Sequence, residues 1–179
     1  MSATERVIER TKKWITEVVI GCNFCPFAAN VVKRQIIYYQ VETSAEIETC
    51  LDSFLSLVKR MDDDPTVETS FLIFPNSFEK FDDYLDLVDV SENLLKHKGY
   101  EGIYQVASFH PMYLFEGSNE DDPANYTNRS VYPMLHLLRE ESIDKALENY
   151  KDPESIPDRN IKFAREKGLA YMKMLKDAL

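Results

Sequence analysis

The sequence predicts an α/β fold: a small, mainly parallel sheet of three or four strands with crossover helices and two C-terminal helices. Three observations carry this. Residues 35–41 (QIIYYQV), 68–74 (ETSFLIF) and 102–109 (GIYQVASF) are β-branched and aromatic runs of strand length. Amphipathic helical periodicity separates them, which favours parallel, right-handed crossovers. The 179 residues are 44% hydrophobic with only 5 Gly, so residues 1–179 read as one domain with a real core rather than a disordered chain.

The elements follow in order. Val7, Trp14, Ile15, Val18 and Val19 recur at helical spacing, and Gly21 reads as the C-cap. Pro26 suits the first position of a short helix, which places Cys25 at its N-cap. After the first strand, Thr43 and Glu46 predict a capping box, with Ile47, Leu51, Phe54, Val58 and Met61 marking the inner helix face. Cys50 lies on that face as a small buried hydrophobe. Pro75 stops the second strand; Phe81, Leu85, Val88 and Leu95 then mark a helix closed by Gly99. Beyond the third strand, residues 130–150 and 159–178 predict two final helices. On the first of these, Tyr132, His136 and Glu140 are spaced i, i+4, with Arg139 beside them.

Charge narrows the function classes. The chain carries 21 Lys+Arg against 31 Asp+Glu, a formal charge of -10. It is unevenly placed: residues 1–36 are +3, residues 159–179 are +4, and residues 37–158 are -17. Such an acidic body argues against nucleic acid as a partner, because phosphate neutralisation needs clustered cations. No stretch approaches the length of a membrane span, and the N-terminal residues lack a signal peptide's apolar core. Three cysteines, an odd number, make no disulfide framework. These readings point to a cytoplasmic protein that does not engage membranes.

Candidate chemistry collects at one edge. Ligands of an open parallel sheet bind beyond the carboxyl ends of its strands, and the third strand delivers His110 there. The connection after it, residues 112–129, is long and polar, and Arg129 is the only base between Lys98 and Arg139. Arg129 either pairs with its acidic neighbours or holds a small carboxylate or phosphate in its planar fork. Cys25, expected at a helix N-terminus, is the candidate thiolate.

The first reading is therefore an enzyme acting on a small anionic molecule. Cys25 serves as nucleophile or redox thiol and His110 as general base, while Asn125, Asn128, Arg129, His136 and Arg139 bind the substrate. The alternative is a metal- or ligand-binding module without turnover, in which Cys22, Cys25, His110 and His136 hold zinc or iron. A third reading has residues 122–139 weld the long loop to the core through buried hydrogen bonds.

Residues 18–28 (VVIGCNFCPFA), 105–111 (QVASFHP) and 122–140 (DPANYTNRSVYPMLHLLRE) resemble the bacterial family catalogued as domain of unknown function 1415, and the resemblance spans nearly the whole chain. It implies a shared site without naming a reaction. In the family pattern that position is commonly Leu, where this chain has Cys22. The resemblance therefore implies that Cys22 is dispensable, and it weakens both the dithiol and the four-ligand metal readings.

Overall fold

The computed structural model describes residues Met1–Leu179. Helix α1 (Ala3–Trp14) opens on a capping box, in which Ser2 Oγ accepts the Glu5 N–H and the Glu5 carboxylate accepts the Ser2 N–H. It widens into a π-helical turn, Ile15–Ile20, and the Gly21 N–H closes that turn on the Thr16 carbonyl. Gly21 has φ -59°, not the left-handed geometry of the expected C-cap. A Cβ there would stand 2.1 Å from the Glu17 carbonyl oxygen, so close backbone approach is what demands glycine.

The remaining elements are α2 (Ala28–Arg34), β1 (Ile37–Val41), α3 (Ile47–Asp63), β2 (Thr69–Ile73), α4 (Phe81–His97), β3 (Tyr104–Phe109), β4 (Met134–Arg139), α5 (Glu140–Glu148), α6 (Ile156–Lys167) and α7 (Leu169–Asp177). Helix α3 starts at Ile47, and the Thr43–Glu46 box does not form. Instead the Glu42 carboxylate takes the Ser44 N–H and the Ser53 hydroxyl, which holds the approach extended.

The sheet order is β1-β2-β4-β3. β1 and β2 pair in parallel, while β4 runs antiparallel to both β2 and β3. The α/β class is as expected. The one antiparallel strand lies inside the sheet, and it occupies residues expected to begin a helix. The physical reason is two-sided burial. Met134 and His136 face one side while Leu135 and Leu137 face the other, and Met134, Leu135 and Leu137 are fully buried. The slot between β2 and β3 satisfies the backbone on both edges and outweighs local helix propensity.

Each sheet face has its own core. Leu72, Leu135, Leu137 and Tyr104 meet α3 and α4 through Phe54, Leu57, Val58, Tyr84 and Leu87. Phe71, Ile73 and Met134 meet α1, the π turn and the C-terminal helices through Trp14, Val18, Ala164 and Met172. The two basic end segments thus lie together on the second face. Arg10 and Lys13 of α1 donate to the carbonyls of Leu179 and Ala178, and Arg165 pairs with Asp122 of the acidic loop.

Candidate functional site

His110 leaves β3 toward the first face. Its ring packs against Phe81 and Tyr84 of α4 and has no solvent exposure. Nδ1 accepts the Met112 N–H at 2.9 Å, so Nε2 carries the proton and donates to the Phe78 carbonyl at 2.8 Å. Burial pushes its pKa down, opposed by the Phe78 bond and aided by nearby Lys176. Phe78 holds a left-handed φ of 59°, a strained conformation for a non-glycine residue, and the bond from His110 pins its carbonyl there. With both ring nitrogens occupied, His110 is a buried brace between two loops.

Cys25 belongs to the opposite side. The segment around it lies over the second face, where Cys22 and Phe24 join that core, Arg159 donates to the Asn23 carbonyl and Asn160 to the Phe24 carbonyl. Phe27, not Cys25, precedes the first residue of α2. The expected thiol at a helix N-cap is therefore corrected, and so is the pairing of Cys25 with His110, because the sheet separates them. Cys50 is fully buried as expected, and burial raises its pKa. All three cysteines are free thiols.

His136 is also relocated. It projects from β4 onto the second face, stacked on Phe71 with ring centroids 4.0 Å apart. The Thr69 hydroxyl spends its proton on the Leu137 carbonyl at 2.8 Å, so His136 Nε2 is the donor in its 2.6 Å bond to Thr69. The residue is partly buried, and its dense surroundings push its pKa down to about 3. With His110 and His136 on opposite faces, the set Cys22, Cys25, His110 and His136 cannot close on one ion. No three His, Cys, Asp or Glu side chains converge into a metal-binding group.

The asparagines organise the long loop. Asn125 is buried; its Oδ1 accepts the Phe115 N–H and its Nδ2 donates to the Asn119 carbonyl. The Asn128 carbonyl accepts the His110 N–H, and its Oδ1 accepts from the Thr127 hydroxyl. Arg139, at the far end of β4, donates to the carbonyls of Val67, Met61 and Asp64 and to the Tyr104 hydroxyl. It sits roughly 17 Å along the strand from Met134, outside any pocket shared with Arg129.

Arg129 remains at the carboxyl edge of β3. It is only 7% exposed, with its guanidinium carbon 4.6 Å from the Tyr126 ring centroid. Nε donates to the Tyr113 carbonyl at 3.0 Å and Nη2 to the Glu120 carbonyl at 3.1 Å, while Nη1 makes no hydrogen bond. Beneath it, the Trp14 indole N–H donates to the Arg129 carbonyl. Lys176 of α7 reaches the same turn and donates to the Pro111 carbonyl at 2.6 Å. Burial lowers its pKa first, and the Arg129 charge lowers it further against Asp177. Neither cation touches a carboxylate: Asp122 is taken by Arg165 and Asp121 by Lys173.

A family model described as protein of unknown function (DUF1415) matches residues 6–174. The chain belongs to that family. The matched stretch includes Cys25, His110 and Arg129 and ends before Lys176. Neither a curated protein nor a solved structure matches the chain. No helix is long and apolar enough to cross a membrane.

Sequence reasoning selected Arg129 from its isolation among acids. It missed Lys176, whose approach to the Pro111 turn depends on how α7 folds back. The only available signal was the positive charge of residues 159–179.

Proposed function

We propose that this DUF1415 protein binds a small anionic molecule, a carboxylate or phosphate, between Arg129 and Lys176. One observation carries the reading: two cations, one buried and one half-buried, grip the Pro111–Tyr113 turn with no carboxylate in contact. A buried cation without a counter-charge is costly, and the unbonded Nη1 together with the spare ammonium protons of Lys176 supplies donors for an anion. The separation of Cys25 from His110 removes the support for thiol catalysis, so the reading is one of binding. We further propose a cytoplasmic location, a reading that the three free thiols support because thiols stay reduced there.

A second reading is favoured by a specific observation. Every hydrogen bond that the Arg129 guanidinium makes goes to a loop carbonyl, as expected of a brace.

Thermal melting in inorganic phosphate, succinate and citrate tests the two. On the binding reading at least one anion raises the melting temperature of the wild type, and Lys176→Met loses most of that rise while folding normally. Equal shifts in the wild type and Lys176→Met, or no shift with any anion, overturn it. Arg129→Gln then lowers the melting temperature alone, which is the brace.

A further inference from the structure

The second sheet face carries an aromatic stack that crosses strands. His136 on β4 lies parallel to Phe71 on β2 at 4.0 Å and 7°, and Phe71 lies parallel to Tyr39 on β1 at 5.8 Å and 10°. β1 is an edge strand, so no further strand supplies a ring beyond Tyr39. What lies there is a cavity of about 450 Å³ between α1 and α2, lined by Lys12, Thr16, Val32, Gln35, Ile37 and Tyr39. That volume suits a small organic molecule.

The lining is chemically specific. Val32 and Ile37 give apolar walls, while the exposed Thr16 and Gln35 bring a hydroxyl and an amide to the rim and Tyr39 a partly buried phenol. Thr16 belongs to the π turn, whose widened backbone sets its position at the rim. Lys12 Nζ stands over the Tyr39 ring, 5.7 Å from its centroid, and its one carboxylate partner is Glu9, in an exposed pair at 2.8 Å. Such exposed pairs are weak, so a ligand carboxylate displaces Glu9 at small cost. Burial pushes the Tyr39 phenol up to about 12, with Glu9 adding to the shift, so it stays a neutral hydroxyl.

The geometry points to a second ligand site in this cavity, for a planar aromatic acid whose ring extends the His136–Phe71–Tyr39 stack and whose carboxylate meets Lys12. Phe71 stacks on the Tyr39 ring, and a ligand ring would extend that row in offset stacking beside the Lys12 ammonium, which stands over the Tyr39 ring. This site is independent of Arg129 and Lys176. An acyclic anion gains nothing from the Tyr39 face, and an uncharged ring gains nothing from Lys12.

Calorimetric titration of the full chain with 4-hydroxybenzoate, cyclohexanecarboxylate and phenol tests the assignment. The expected result is binding of 4-hydroxybenzoate, with affinity lower by roughly fivefold for the saturated acid, which keeps the charge and loses the stack. Lys12→Met weakens 4-hydroxybenzoate severalfold, Glu9→Gln strengthens it, and Lys176→Met leaves it unchanged. Lys12 and Glu9 are exposed, so both variants fold. No binding of 4-hydroxybenzoate, equal affinity for cyclohexanecarboxylate, or indifference to Lys12→Met overturns the proposal.

Discussion

Two arginines flank the sheet's central strand, Arg129 in the loop before β4 and Arg139 closing it; neither pairs with a carboxylate, and they differ in what is left over. Arg139 uses every nitrogen of its fork: Nε on Val67, Nη1 on Tyr104, and Nη2 on Met61 and Asp64. Arg129 uses Nε and Nη2 and leaves Nη1 free, beside a second cation. The difference shows how to tell a brace from a binding group inside one protein. A guanidinium with every nitrogen engaged, here by carbonyls and one hydroxyl, has its charge dispersed over fixed dipoles and little valence for a ligand. One with a spare nitrogen and a like charge nearby keeps donors that an anion could use.

The largest expected effect breaks the satisfied end. Arg139→Ala leaves carbonyls at Val67 and Met61 without donors and should cost roughly 2–4 kcal/mol by chemical denaturation. Whatever response the protein shows to phosphate or succinate should stay intact. A variant as stable as wild type, or one that loses the anion response, would erase the distinction between the two ends.

Midway along the strand, His136 titrates with a sharper signature. Its folded pKa of about 3 lies below the value near 6.5 expected of an unfolded histidine, so the unfolded state holds more protons between those values. Stability should therefore fall as pH drops from about 6.5 toward 3, by up to roughly 1.4 kcal/mol per pH unit from this one residue. His110 adds to the trend in the same direction. His136→Gln should flatten the curve relative to wild type; superimposable pH profiles would mean that the ring is readily hydrated in the folded protein.

The smallest effect comes from the strand beside it. Ser70, paired with Leu137, is fully buried, and its hydroxyl finds no partner. Ser70→Ala removes an unsatisfied polar atom and should change stability by less than about 1 kcal/mol, in the stabilising direction. A clear loss would show that the hydroxyl is satisfied by water and matters.

Legibility of the sequence differed by element. The strands at residues 37–41, 69–73 and 104–109 were readable because β-branched and aromatic runs between turn residues have few alternatives. β4 was not, because MLHLLR is apolar on both faces, and continuous burial looks the same in a central strand and a buried helix. That misassignment displaced His136 and Arg139 into a site they do not share. The Cys25–His110 pairing failed for another reason: proximity across a sheet depends on which face each side chain takes.

The sequence by itself determined the α/β class, the buried role of Cys50, and the isolation of Arg129 within an acidic body. These follow from local periodicity and charge counts, which need no long-range geometry. Only the tertiary structure decided that β4 inserts between β2 and β3, that His110 and Cys25 part company, and that Lys176 joins Arg129. Each depends on pairing between residues distant in the chain, where backbone hydrogen bonding and two-sided burial outweigh local preference.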